Sequence, residues 1–179
     1  MIRIREGELA AADVVAVLRP VSAEWDAVTP AMRRLELAAG AEVDAACRRM
    51  GELPVGSAVL TPAGALPARF LVHVVVRSRD EPVTAAGVRR ALENGLRRLV
   101  ESGSDSVAMP PLGTGAGNLD AEQSAAIMIP LLQAHLASRP QPSIVDVVVD
   151  SAYERDVFER RLRMGAVPAE TPDRAGPGR

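Results

Sequence analysis

The chain has no lysine; its 21 basic residues are all arginine. Schiff-base lysine chemistry is therefore excluded. So is a Walker A phosphate loop, which needs lysine beside Ser or Thr. Histidine is scarce, with only His73 and His135, and Cys47 is the single thiol. That stock is too small for a zinc centre built from His and Cys, and no metal is expected. A Ser-His-Asp arrangement would have to use one of two histidines that both read as structural. A lone cysteine forms no internal disulfide and fits the cytoplasm. Aromatic residues make up 2% of the chain, so stacking platforms for bases or sugars are few. The net charge of −2 argues against general binding of DNA or RNA. No apolar run approaches the roughly 20 residues of a membrane helix, so no membrane partner is expected. The opening M-I-R-I-R-E is charged and alternating, unlike a signal peptide.

What is present is an ordinary globular composition, 47% hydrophobic over 179 residues, enough for one domain with a proper core. Ile2-Arg3-Ile4-Arg5 alternates like a half-buried strand, and Glu6 to Leu9 reads as a turn. Val14 to Leu18 reads as a strand buried on both faces and ended by Arg19-Pro20. Val21 to Val28 reads as a loop whose Trp25 either anchors the loop to the core or lines a pocket. Thr29-Pro30 starts a helix that Gly40 ends, and a second helix runs from Ala41 to Met50 with Cys47 on its apolar stripe. Ser57–Thr61 and Phe70–Val76 are strands, with His73 a buried, hydrogen-bonded histidine in the second. Thr84 caps a helix to about Glu101, and another starts at Ala121 and is kinked or divided at Pro130. Ile144–Val149 is a final strand, and Ser151 with Glu154 forms a capping box for a closing helix. From Gly165 to Arg179 the chain is rich in Pro and Gly and reads as a disordered tail.

The expected fold class is therefore α/β: a three-layer α/β/α domain over residues 1–164 with a mixed, mostly parallel central sheet, then a tail over 165–179. In such sheets ligands bind beyond the carboxyl ends of strands. Arg19 to Val28, Pro110 to Asn118 and Asp150 to Tyr153 fall there. The second is the most informative. Val107-Ala108-Met109 leads into Pro110-Pro111-Leu112, then Gly113-Thr114-Gly115-Ala116-Gly117-Asn118, and Asp120 with Gln123 forms a capping box behind. Strand, glycine-rich loop and helix follow in order. Without Cβ atoms the loop can turn its N–H groups toward an anion, and the helix adds its positive end. Either this is a cradle for a phosphate or diphosphate, or it is a flexible βα turn. It is not a dinucleotide fingerprint, because Asn118 stands where G-x-G-x-x-G needs glycine.

Taken together the segments resemble the macro domain, the ADP-ribose-binding fold, as a divergent member of bacterial type. The stretch Cys47 to Val76, C-R-R-M-G-E-L-P-V-G-S-A-V-L-T-P-A-G-A-L-P-A-R-F-L-V-H-V-V-V, is similar to the family's Cys, Gly, Pro-x-Gly-x-Ala, Thr, Leu-Pro-Ala and His-x-Val spacing. P-P-L-G-T-G-A-G-N-L resembles the family's diphosphate loop, and I-V-D-V-V-V-D-S-A-Y its ending. The departures are as specific. Val17-Leu18-Arg19-Pro20-Val21-Ser22 stands where the family has Asn-Ala-Ala-Asn, and Trp25-Asp26-Ala27-Val28-Thr29 replaces its first glycine-rich loop. Gly7-Glu8-Leu9 corresponds to Gly-Asp-Ile, whose acid contacts adenine, and Gly117 to an aromatic residue of the diphosphate loop.

The resemblance implies a domain that binds ADP-ribose or a related nucleotide diphosphate, with an ADP-ribosylated protein as a further partner and no cofactor. The ligand residues it implies are Gly7, Glu8 and Leu9, then Pro111, Leu112, Gly113, Thr114, Gly115, Ala116, Gly117 and Asn118, with Asp150 and Tyr153 on the adenine side. The last two also fit as capping and core residues of the final helix. The lost asparagine removes an amide that would orient the distal ribose and a water, so hydrolysis is expected to be weak or absent. Ser22 and Asp26 are the replacement candidates for catalysis. Two other readings stay open: a hydrolase acting on ADP-ribosyl or ADP-ribose phosphate groups, and a degenerate macro fold used as a protein-interaction module.

Overall fold

The computed structural model describes residues 1–115 and 119–165. Its centre is a six-stranded sheet of β1 (Ile2–Glu6), β2 (Ala16–Ser22), β3 (Ala58–Pro62), β4 (Phe70–Arg77), β5 (Ser106–Met109) and β6 (Ile144–Val149), in the order β1-β6-β5-β2-β4-β3. Every pairing is parallel except that of β3 with β4. The helices are α1 (Pro30–Ala39), α2 (Ala41–Arg49), α3 (Ala85–Glu101), α4 (Ala121–Ser138) and α5 (Ala152–Gly165). The side chains of α3, α4 and α5 share one apolar cluster with Leu18, Val72, Val74 and Val145. Those of α1 and α2 share the other with Val17, Val21, Leu71 and Val75. The architecture is thus three layers, α/β/α, around a mixed and mostly parallel sheet. Gly165, expected to open the tail, is the last residue of α5, and the rest of the expected tail, 166–179, lies outside the described residues.

Burial explains the apolar strands. All seven residues of β2 are buried, as is the interior of β4, because helices cover both faces. The strand β2 runs through Arg19-Pro20 to Ser22, longer than the sequence pattern suggests. Proline is tolerated because β5 pairs with β2 only at Ala16 and Val17, leaving that side of β2 without a ladder partner beyond them. Likewise α4 is not divided by Pro130. Pro130 and Ala126, whose carbonyl loses its helical donor, both face solvent, where water takes the place of the lost bond. The strongly amphipathic α3 buries Val88, Leu92, Leu96 and Leu99, each contributing about 1.5–3 kcal/mol by removal from water.

Candidate functional site

Because β1, β6, β5, β2 and β4 are parallel, their carboxyl ends share one edge of the sheet. A cavity of about 260 Å³ lies there. Pro20 at the end of β2, Pro110 and Pro111 after β5, and Val148 and Asp150 at the end of β6 form its floor. The turn after β1 supplies Gly7, Glu8, Leu9 and Ala10, and α1 supplies Thr29 to Met32 and Leu35. Thr114, Gly115 and Glu154 complete the lining.

Among the described residues the positive potential of the cavity comes from the backbone. No Arg or His side chain among the described residues lines it. The N-terminus of α1 does, its cap made by the Thr29 hydroxyl accepting from Met32 N at 3.2 Å. Arg33 N donates to the Thr29 carbonyl at 3.0 Å. Pro30 has no N–H, so the Ala31 amide is the first-turn donor left without a partner among the described residues. The amide of Thr114 also lacks a partner there, while that of Gly115 lies in the parallel bridge between Thr114 and Leu119. Free amides at a helix start and in a glycine loop are what an anion binds. The lining carboxylates are Glu8, Asp150 and Glu154. Glu154 is engaged as an acceptor from Asp150 N at 2.9 Å, and Glu8, 63% exposed, faces Arg34 at 3.6 Å.

The loop after β5 is fixed from beneath. Leu112 is fully buried; its amide donates to the Met128 sulfur at 3.1 Å and its carbonyl accepts from the Ser124 hydroxyl at 2.8 Å. The Gly113 carbonyl accepts from Leu119 N at 3.0 Å. Asp120 and Gln123 form the capping box of α4 with both reciprocal bonds in place. Gly115 has φ +127°, a backbone conformation that side chains with Cβ rarely adopt.

Among the residues singled out from the sequence, Gly7, Glu8, Leu9, Pro111, Thr114, Gly115 and Asp150 come together around the cavity. Leu112 and Gly113 do not line it; they hold the loop to α4 and to Leu119 instead. Ala116, Gly117 and Asn118 lie outside the described residues. Tyr153 is 64% exposed and off the cavity, because the first turn of α5 aims Glu154, one residue on, at it. Ser22 and Asp26 are off the cavity too. Ser22 is buried, its hydroxyl accepting from Asp26 N at 3.0 Å, so it staples the loop. The Asp26 carboxylate turns toward Arg48 at 3.7 Å. The α1 wall, Thr29 to Leu35, was not recognised as site from the sequence. A Thr-Pro helix start following a strand end at the ligand edge is the signal that points to it.

Behind this wall, on the α1–α2 face, lies a buried polar centre. Arg19 Nε donates to His73 Nδ1 at 2.9 Å, and His73 Nε2 lies 2.8 Å from the Thr61 hydroxyl. The Thr61 hydroxyl donates to the Pro62 carbonyl at 3.0 Å, so the ring proton sits on Nε2. Burial, then the Arg19 cation, holds His73 well below its ordinary value of 6.5. Burial also lowers Arg19, against the pull of Cys47 and Glu36, and raises the Cys47 thiol. A buried, protonated thiol is a core residue. Trp25 is buried edge-on to His73 at 5.7 Å and donates to the Gly51 carbonyl at 2.7 Å, which makes it the loop's anchor and not a pocket residue. Among the described residues no group of three or more His, Cys, Asp or Glu is placed to hold a metal ion.

A family model described as Macro domain matches residues 31–128. A protein of the archaeon Aeropyrum pernix is 31% identical over 128 residues, covering 70% of this chain and 67% of its own. The O-acetyl-ADP-ribose deacetylase of Enterobacter cloacae is 29% identical over 131 residues, covering 70% and 73%. Among solved structures, the Oceanobacillus iheyensis macrodomain with ADP superposes with a TM-score of 0.83 at 20% identity, covering 91% of this chain and 90% of that one. The Trypanosoma brucei macrodomain in complex with ADP-ribose gives 0.80 at 16% identity, covering 89% and 68%.

Proposed function

The chain belongs to the macro domain family, and from that premise we propose that it binds ADP-ribose or a related nucleotide diphosphate in the cavity at the carboxyl ends of its parallel strands. One observation carries the reading: among the described residues the amides of Ala31 and Thr114, both on residues that line the cavity, have no partner, and no cationic side chain lines it. A diphosphate held by such amides needs no arginine. Its negative charge is set against the positive ends of backbone dipoles, which do not have to be reorganised when it arrives. The names of similar proteins agree with this chemistry, one being an O-acetyl-ADP-ribose deacetylase and two being macrodomains solved with ADP or ADP-ribose. In this reading the adenine end lies at the Gly7–Leu9 turn and Asp150, with Glu8 as the acceptor for the adenine amino group.

Hydrolysis is weak or absent in this reading. Ser22 and Asp26, the two candidates for catalysis, face away from the cavity, and the lining carboxylate of Glu154 is held by the Asp150 amide. A hydrolase reading is favoured by the deacetylase relative alone. Calorimetric titration with ADP-ribose and AMP tests the proposal. ADP-ribose is expected to bind at least about tenfold more tightly than AMP, because AMP lacks the second phosphate that the loop amides hold. Absence of binding to both by folded protein would overturn it and favour the interaction-module reading. Turnover of an ADP-ribosylated protein, lost in Ser22→Ala or Asp26→Ala, would overturn the account of weak catalysis.

A further inference from the structure

We infer that Thr29 and Gly115 form a rigid end wall of the cavity, so that the site reads a nucleoside diphosphate and leaves whatever is attached beyond its terminal phosphate in solvent. The inference rests on the nucleotide-diphosphate reading above. It begins with size. The cavity holds about 260 Å³, below the roughly 300–1,000 Å³ of pockets that enclose a drug-sized ligand. A ligand with two ribose rings and a base exceeds it, so one end must project.

The contact between the two loops decides which end. A Cβ placed on Gly115 would stand 3.2 Å from Thr29 Cγ2 and 3.6 Å from the Val28 carbonyl oxygen. The two segments therefore meet in van der Waals contact, with space between them for one methyl group at most. Thr29 cannot swing aside without losing its cap bond to Met32 N, and its carbonyl is held by Arg33 N. Pro30, with its fixed φ, stiffens the next position. On the other side Thr114 Oγ1 donates to the Pro111 carbonyl at 3.3 Å, and the loop is anchored through Leu112 to α4. Both sides of the wall are thus fixed by bonds that do not involve a ligand.

The chemistry of the wall agrees with its shape. Among the described residues its free donor is the amide of Thr114, which suits a phosphate oxygen. A ribose brings vicinal hydroxyls that need carboxylate or amide side chains as acceptors, and among the described residues neither Asn nor Gln lines the cavity. Its lining carboxylates sit on the Gly7–Leu9 turn and at Asp150 and Glu154, on segments other than the two that make the Thr29–Gly115 contact. While the wall stands, the distal ribose gains no bond here.

Isothermal titration of the full chain with ADP and with ADP-ribose, in wild type and in Thr29→Gly, tests the wall. Glycine at an N-cap is tolerated within a few tenths of a kcal/mol, and Thr29→Ser, which keeps the cap and removes only Cγ2, serves as the second variant. The expected wild-type result is two dissociation constants within about threefold of each other, and a ratio that shifts by about fivefold or more toward ADP-ribose in Thr29→Gly. Wild type preferring ADP-ribose by about tenfold or more would overturn the wall while leaving the nucleotide reading intact. So would an unchanged ratio in both variants. No binding of either ligand to folded wild-type protein would overturn the nucleotide reading and the wall with it.

Discussion

His73 is fully buried, neutral, and uses both ring nitrogens, one accepting from the Arg19 guanidinium and the other donating to Thr61. Protonating it would place a second cation against Arg19 with no counter-ion on the ring. Burial and that cation together hold its pKa well below 6.5. In the unfolded chain the imidazole titrates near 6.5, so below that pH the unfolded state binds a proton that the folded state refuses. Stability contributed by the neutral ring is therefore complete above 6.5 and is lost as pH falls through that value toward the folded pKa. From about pH 7.5 to about pH 5.5, with the folded ring neutral throughout, the loss is about 1.4 kcal/mol. For a chain of this size that is about 3–5 °C in Tm. The assay is urea unfolding followed by circular dichroism at both pH values, in wild type and in His73→Gln. Glutamine can accept from Arg19 and donate to Thr61 but cannot titrate. Carboxylates contribute equally to both proteins, so the difference between them isolates the histidine. The variant is expected to start less stable and to lose about 1.4 kcal/mol less than wild type. Equal losses in the two proteins would refute the assignment of a neutral, desolvated His73.

Three further substitutions follow from the packing. Gly64, at φ +62°, abuts α1 so closely that a Cβ would overlap the Ala39 carbonyl oxygen and stand 2.7 Å from Val43 Cγ2. Gly64→Ala is expected to cost about 3 kcal/mol or more in urea unfolding, and a loss under about 1 kcal/mol would contradict the contact. Gly115→Val adds a branched side chain against Thr29 at a φ of +127°. It should weaken ADP binding about tenfold or more by calorimetry with little change in Tm, and unaltered affinity would remove the loop from the site. Glu8 can accept from the adenine amino group but meets the hypoxanthine oxygen acceptor to acceptor. Because its side chain is 63% exposed, the expected preference for ADP over inosine diphosphate is at the low end, about 1 kcal/mol. Glu8→Ala should erase that preference, and equal wild-type affinities would place the carboxylate in solvent.

Much of this was legible in the sequence because it is written locally. Asp120 and Gln123 sit three residues apart, and the capping box they announce is formed. The apolar runs of β4 and β6 mark strands covered on both faces, and the spacing from Cys47 to Val76 carries the family. What was not legible depends on contacts across the chain. The length of β2 past Pro20 depends on where β5 stops pairing, which no window around Pro20 contains. Ser22 and Asp26 form a closed turn with each other, so residue types that suggest catalysis serve as a staple. Tyr153 and Glu154 are neighbours, and only the entry angle of α5 decides which one faces the cavity. The Thr29 wall appears only when Gly115, far along the chain, is brought against it.

The assignment of the cavity to a nucleotide diphosphate is tested most directly by titrating uniformly 15N-labelled protein with ADP and following backbone amide resonances. A separate hollow, between α2 and β3 and lined by Val43, Arg49 and Thr61, provides the internal control. Saturable shifts are expected at Gly7, Ala31, Thr114 and Gly115, with Val43, Arg49 and Thr61 unmoved. Saturable shifts confined to Val43, Arg49 and Thr61, or no shifts in a folded sample at millimolar ADP, would contradict it.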